Sequence, residues 1–114
     1  MQILDPDLRL AMRLKGCCEW CHQRRSTVGH HLWTKGMGGN GWIDLFINLI
    51  ALCAECHNDA ENGFIQRCDL LAIVATREKT TQDEIRAAIR DIRRLPKRSP
   101  WSAVAALIPQ RRIR

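Results

Sequence analysis

The stretch that decides the fold covers residues 17–63 and reads CCEWCHQRRSTVGHHLWTKGMGGNGWIDLFINLIALCAECHNDAENG. It contains one Cys-x2-Cys pair, Cys18 and Cys21, near its start and a second, Cys53 and Cys56, near its end. Each such turn places two sulfurs on one side of an ion, and two turns supply the four thiolates of a tetrahedral zinc site. We therefore predict one structural Zn2+, with these four cysteines as its ligands.

Two further cysteines leave the ligand set open at one position. Cys17 could replace Cys18, although this would create the less usual Cys-x3-Cys spacing. Cys68 lies in an apolar-rich segment and is predicted to be a small core residue. Disulfide pairing would suit a secreted protein, but the N-terminal residues lack the uninterrupted apolar core of a signal peptide, so we expect a cytosolic protein.

The residue pattern around this stretch predicts a small α+β fold with flanking helices. Apolar residues at helical spacing indicate helices, and short β-compatible runs bounded by turn residues indicate strands. The predicted elements are a helix from Asp5 to Gly16, strands over 26–33 and 46–52, a glycine-rich loop over 35–41, and helices over 56–62, 67–78, 81–95 and 101–108.

The charge of the 114-residue chain is concentrated towards its C-terminus. Residues 77–114 contain 11 Lys or Arg and 4 Asp or Glu, a net +7, whereas residues 1–76 contain 7 and 8, a net −1; together they give the formal +6 of the chain. We therefore divide the chain into an N-terminal helix with the zinc-stabilised module, residues 1–66, and a basic helical extension, residues 67–114. This asymmetry favours an anionic partner, and no apolar run approaches the roughly 20 residues of a membrane span.

The basic extension contains one strongly amphipathic helix. Thr81 and Glu84 have the spacing of a capping box at its start, and Pro96 would end it. Ile85, Ala88, Ile89 and Ile92 form an apolar stripe at i, i+3, i+4 and i+7. The basic residues predicted to contact DNA are Arg86, Arg90, Arg93 and Lys97 on another face, together with Lys35 in the glycine-rich loop. A solvated helical face without a ligand is the alternative interpretation of the four helical residues.

Taken together, these motifs resemble the zinc-knuckle type of HNH endonuclease. The residues that carry the resemblance are the two cysteine pairs, His30-His31, Asn48-Leu49-Ile50 and Leu52-Cys53-x2-Cys56-His57. The resemblance implies a ββα-metal, or His-Me, finger over roughly residues 17–63 and a metal-dependent hydrolysis of DNA phosphodiester bonds. Nicking and double-strand cleavage are both compatible with it.

The resemblance also implies roles for individual residues. His31 matches the general base, and Asn48 matches a residue that holds the base strand in place. His30 and His57 match ligands of a catalytic divalent ion, Mg2+ or Mn2+. Where many relatives have a further histidine, this chain has Glu61, which could reach the ion from the same helix face as His57 or could be a solvated glutamate.

The adjacency of His30 and His31 constrains this assignment. Neighbouring residues of a strand point to opposite faces, so both histidines can serve one site only if the strand is bulged or turned there. The stretch from His30 to Gly39 is also similar to a variant common in phage and prophage nucleases, which implies the cytosol of a bacterium or of a phage-infected host.

Two questions about partners and function stay open from the sequence. A homodimer, or a phage protein partner, could use the C-terminal helices. The alternative function is a zinc-stabilised nucleic-acid-binding module without catalysis. The nuclease interpretation is favoured because a binding module has no need for the two adjacent histidines, Asn48 and His57 together.

Overall fold

The computed structural model describes residues 1–34 and 42–110, so the predicted glycine-rich loop with Lys35 lies outside the described residues. The elements are α1 (Pro6–Arg13), β1 (Val28–His31), a 3-10 turn (Phe46–Asn48), β2 (Leu49–Leu52), α2 (Ala54–Glu61), α3 (Arg67–Arg77), α4 (Gln82–Arg93) and α5 (Trp101–Leu107). Over the described residues, five helices and a two-stranded antiparallel sheet confirm the predicted α+β class. No helix in these ranges has the length and apolarity to cross a membrane.

The sheet is shorter than predicted at both strands. β1 and β2 pair in regular antiparallel register from Val28–Leu52 to His31–Leu49. The predicted strand over 46–52 begins with a 3-10 turn instead, and Asn48 at the end of that turn bonds through its side chain to the backbone of Trp33. The backbone of Trp33 is therefore paired with a side-chain amide, which ends the ladder soon after His31.

Strand β2 is buried on both faces. All four of its residues are fully buried. Leu49 and Ala51 cluster with Met12 of α1, whereas Ile50 and Leu52 belong to the larger core that contains residues of α3 and α4. The alternation follows the two-residue period of a strand, and it places one helix on one side of the sheet and the remaining helices on the other.

Glycine permits the close approach of α1 to the sheet. A Cβ atom at Gly29 of β1 would lie 3.2 Å from the Cβ atom of Met12. α1 begins at Pro6, and the N-cap Asp5 accepts a hydrogen bond from the Leu8 N–H at 3.0 Å. The helix start predicted at Asp5 is therefore confirmed, with Asp5 as the cap, and α1 lies directly over β1 and β2.

The helices of the basic extension pack as the apolar pattern predicts. Thr81 caps α4 by accepting from the Glu84 N–H at 3.1 Å. The predicted apolar stripe of α4 is buried, namely Ile85, Ala88, Ile89 and Ile92. One hydrophobic core contains these residues together with Ile50 and Leu52, so it extends across the boundary predicted at residue 66.

One core prediction is wrong. Cys68 is exposed, not buried. It lies in the first turn of α3, and the buried face of this helix begins two residues later with Leu70 and Leu71 and continues with Val74. The apolar-rich composition of the segment did not reveal which face of the helix Cys68 occupies.

Candidate metal centres

The four predicted zinc ligands lie together. The Sγ atoms of Cys18, Cys21, Cys53 and Cys56 are all within 4.8 Å of one another. The Sγ atoms of Cys21 and Cys53 are 3.9 Å apart. This separation matches the roughly 3.8 Å between two ligands of a tetrahedral zinc ion with Zn–S bonds of about 2.3 Å. The cluster is therefore compatible with a structural zinc site.

The cluster also decides between Cys17 and Cys18. Cys18 is buried within the cluster, whereas Cys17 is exposed and lies outside it. None of the six cysteines forms a disulfide bond. The cluster therefore consists of two Cys-x2-Cys pairs, and Cys17 does not replace Cys18.

Backbone N–H groups support the sulfurs. Cys18 Sγ accepts from the Cys21 N–H at 3.5 Å, and Cys53 Sγ accepts from the Cys56 N–H at 3.4 Å. The second bond caps α2, which explains why this helix begins at Ala54, earlier than predicted.

The protonation of these thiols depends on their surroundings. The N–H of Gln23 is the main cause that lowers the pKa of Cys21 to about 6. Burial raises the pKa values of Cys53 and Cys56 above the ordinary thiol range. A bound cation is what stabilises buried thiolates, so the donor set fits Zn2+, the ion that four cysteines suit.

A second cluster brings together His30, His57 and Glu61. One ligand atom from each lies within 4.8 Å of the others. The Glu61 Oε1 atom is 3.1 Å from His57 Nε2 and 3.8 Å from His30 Nδ1. Residues four apart lie on the same face of a helix, so His57 and Glu61 of α2 both face His30 of β1. Of the two sequence interpretations of Glu61, this geometry favours the one in which it accompanies the histidines.

The donor atoms of the second cluster are of types that divalent cations accept as ligands. Burial is the main cause that lowers the pKa of His30 to about 4, and the nearby charges of His57 and His31 add to the effect. His30 is therefore neutral at pH 7 and can offer a nitrogen lone pair to a metal. Two imidazoles and one carboxylate suit Mn2+ and the later first-row ions better than Mg2+, which prefers oxygen ligands.

His31 faces a different set of residues. Its Nε2 atom is 2.7 Å from the Asp44 Oδ1 atom, and its ring centroid is 4.5 Å from that of Trp42. The pairing of β1 is regular through His31, but the strand ends there and the chain bends at Leu32. No bulge or turn therefore separates the two histidines: His30 lies opposite Ile50 and His31 opposite Leu49, so they leave the strand on opposite faces.

Asp44 is a site residue that the sequence interpretation missed. Its side chain is completely buried. The Oδ2 atom accepts from the Asp5 N–H at 2.8 Å and from Arg9 Nε at 2.9 Å, while Oδ1 faces His31. A signal was present in the sequence, because residues 42–50 read WIDLFINLI and contain only two polar residues, Asp44 and Asn48. A charge inside an apolar run is buried at a cost unless it is paired.

Asn48 joins the two segments around His31. Its Oδ1 atom accepts from the Trp33 N–H at 2.8 Å. Its Nδ2 group donates to the carbonyl oxygens of Trp33 at 3.1 Å and of Ile43 at 2.9 Å. The buried amide thus ties Trp33, two residues after His31, to Ile43, the residue that precedes Asp44.

The predicted DNA contacts are divided between α4 and its flanks. Arg86, Arg90 and Arg93 lie on α4 outside its buried stripe, and Lys97 follows the end of the helix. Sequence reasoning missed Arg67 of α3, which lies beside them: its Nε donates to the Leu32 carbonyl oxygen at 2.8 Å.

The two clusters meet on one helix. Cys56 belongs to the cysteine cluster, and the next residue, His57, belongs to the second cluster. The relative positions of the two clusters are therefore fixed by the first turn of α2. Comparison of the chain with protein-family models, with curated proteins and with solved structures gives no match.

Proposed function

We propose that this chain is a metal-dependent endonuclease of the HNH type that hydrolyses phosphodiester bonds of DNA. The observation that carries the proposal is the convergence of His30, His57 and Glu61. The next residue after His30 in β1 is His31, whose imidazole contacts a buried carboxylate. Two antiparallel strands followed by a helix, with one cysteine pair before the first strand and the other at the start of the helix, support a ββα-metal finger over residues 17–63.

His31 is the general base in this proposal. The His31 Nε2 atom lies 2.7 Å from Asp44 Oδ1, and a neutral imidazole that donates Nε2–H to this carboxylate has Nδ1 as its acceptor. Nδ1 then accepts a proton from the water that attacks phosphorus, while the bond to the leaving 3′ oxygen breaks. Asn48 has a positioning role, because its hydrogen bonds hold the backbone on both sides of the His31–Asp44 pair.

His30, His57 and Glu61 are the proposed ligands of the catalytic ion. When bound, a divalent ion supplies Lewis-acid stabilisation of the phosphate oxygen and of the leaving 3′ oxygen. These residues offer two imidazole nitrogens and a carboxylate oxygen close enough together to share one ion. The donor set favours Mn2+ over Mg2+ as the more activating ion.

A structural Zn2+ in the cysteine cluster completes the proposal. Its ligands come from the turn before β1 and from the start of α2, so it would fix the distance between the strand of His30 and the helix of His57. Such zinc sites contribute directly to folding free energy.

A plasmid-nicking assay tests the proposed function. Purified protein should relax supercoiled DNA with Mn2+ or Mg2+, and EDTA should abolish this activity. His31→Ala should reduce the rate by about 10²–10⁴-fold, the usual contribution of a general base. His57→Ala should weaken metal binding, so that excess Mn2+ recovers part of the activity.

The matched control is His22→Asn. His22 is exposed, lies outside both clusters and has a φ of 56°, a backbone conformation that Asn tolerates. This variant should cut DNA at the wild-type rate. DNA binding without nicking in any divalent metal would instead favour the non-catalytic nucleic-acid-binding module.

A further inference from the structure

A concave basic surface lies beside the end of β1. Trp33 and residues of α4 line a cleft of about 330 Å3, a size at the lower end of ligand sites. Arg67 of α3 lies over the Trp33 ring next to it. We call this surface the arginine cleft, and its residues are Trp33, Arg67, Arg86, Ile89, Arg90, Arg93 and Arg94.

The positive charge of the arginine cleft is poorly compensated. Within residues 1–34 and 42–110, Arg67, Arg86 and Arg93 have no carboxylate at salt-bridge distance, whereas Arg90 pairs with Asp91 at 2.9 Å. Burial, and then the positive charges of Arg86 and Arg93, lower the pKa of Arg67. Like charges held this close repel one another, and a bound anion would relieve the repulsion.

The cleft is organised around a fixed aromatic ring. Both backbone polar groups of Trp33 are bonded to the Asn48 side chain. The guanidinium carbons of Arg67 and Arg86 lie 5.1 Å and 5.9 Å from the centroid of the Trp33 ring. Cation–π contacts of this kind hold guanidinium groups in place. Planar guanidinium groups are the donors that best match phosphate oxygens.

The position of the cleft relates it to the candidate nuclease site. Trp33 is two residues beyond His31, so their Cα atoms are at most about 7 Å apart. Neighbouring phosphates of one DNA strand are separated by a comparable distance. His30 of the second cluster lies three residues before Trp33, so their Cα atoms are at most about 11 Å apart. A strand with one phosphate at this cluster therefore has its next phosphates within reach of Trp33.

We infer that the arginine cleft binds backbone phosphates of the strand that is cut, about one to three nucleotides from the cleaved bond. That the bound strand is the one that is cut rests on the proposed function, whereas phosphate binding rests on the residues of the arginine cleft alone. The inference adds Trp33 and Arg67 to the DNA-binding surface. This surface then begins at the C-terminal end of β1, where Trp33 lies.

A binding measurement without divalent metal tests the phosphate site. The double variant Arg86→Gln/Arg93→Gln should bind a fluorescent DNA duplex at least about tenfold more weakly than wild type. The slope of log affinity against log salt should fall by about 1.8, which is about 0.9 for each of two phosphate contacts. Neither guanidinium group donates a hydrogen bond to another residue of the described part of the chain, so the melting temperature should stay near that of wild type.

The charge-matched control is Arg13→Gln/Arg25→Gln. Both arginines are exposed, lie outside the cleft and have no carboxylate at salt-bridge distance among the described residues. This variant loses the same net charge and should keep most of the salt slope. If the cleft variant and this control bind DNA equally well, the inference is wrong.

A scan with single neutral methylphosphonate linkages locates the contacts. On the cut strand, a neutral linkage close to the mapped cleavage position should weaken wild-type binding and have no further effect on Arg86→Gln/Arg93→Gln. Sensitivity confined to the uncut strand would overturn the placement.

The nicking assay separates this inference from the proposed function. If no nicking occurs but binding depends on Arg86 and Arg93, the proposed function fails and so does the placement beside a cleaved bond, whereas the phosphate site stands. If nicking occurs and the cleft variant binds and cuts as wild type does, the inference fails and the proposed function stands.

Discussion

At the scale of single residues, the imidazole of His31 depends on one buried carboxylate. Asp44 is fixed on its other side by the Asp5 N–H and by Arg9, so it can hold the ring in one orientation. Asp44→Asn keeps the shape but removes the charge that favours the Nε2–H tautomer. We expect kcat for nicking to fall by about 10–100-fold, with little change in KM.

The control for this change is Asp7→Asn, an exposed aspartate in the first turn of α1. It should leave kcat unchanged. Equal rates for Asp44→Asn and wild type would show that the carboxylate does not act through His31.

Asn48 gives a stability prediction at the same scale. Asn48→Ala leaves the Trp33 N–H and two carbonyl oxygens without their buried partner. We expect the free energy of unfolding to fall by about 2–4 kcal/mol, measured by urea denaturation of the zinc-loaded protein. Asn58→Ala, at an exposed position of α2, should change it by less than about 0.5 kcal/mol. A similar loss for both variants would contradict this account.

The residue scale also shows where sequence reasoning stops. The two cysteines of each pair are only three positions apart in the chain, so the sequence alone predicted the four-cysteine cluster that the structure contains. Asp44 was missed because its partners are far away in the chain, Asp5 being 39 residues distant. Cys68 was placed wrongly because composition does not specify a helix face. Arg67 was missed because its neighbours on Trp33 belong to another helix.

At the scale of elements, α2 carries ligand candidates of both clusters. Its N-cap is Cys53, whose sulfur accepts from the Cys56 N–H. We expect Cys53→Ser to lose bound zinc and to unfold, because a structural zinc ion contributes folding free energy directly. Metal analysis and circular dichroism measure the two effects, and wild type should contain one zinc per chain.

Cys17→Ser is the matched control, since this exposed thiol lies outside the cluster. It should keep its zinc and its fold. Folded, zinc-free wild-type protein would refute the structural role of the metal.

Element boundaries follow from caps more than from apolar patterns. The start of α4 was predictable because Thr81 and Glu84 are a local signal. The start of α2 was predicted too late, since a cysteine sulfur serves as its cap. The strands were predicted too long because the Asn48 side chain replaces a strand partner at Trp33.

At the scale of the whole molecule, the two predicted segments share one core. Buried residues of α4 and α5, including Ile89 and Val104, cluster with Ile50 and Leu52 of β2. Truncation after residue 78 would expose Leu70 and its neighbours on α3. We expect the shortened chain to lose cooperative thermal unfolding even with zinc bound, as measured by calorimetry.

The control for truncation keeps the chain intact and removes charge from its surface. Arg86→Gln/Arg93→Gln should retain the wild-type unfolding transition, since neither residue belongs to the buried stripe of α4. A truncated protein that unfolds as sharply as the full chain would show that residues 1–78 are stable alone.

The shared core also limits what can be transplanted. A protein engineer who grafts residues 17–63 onto another scaffold would carry across the candidate ligands of both clusters, but not the helices that cover Ile50 and Leu52. The graft would also leave behind Asp5 and Arg9, which hold Asp44. A portable version of this site therefore has to include α1 at one end and α3 and α4 at the other, which is most of the chain.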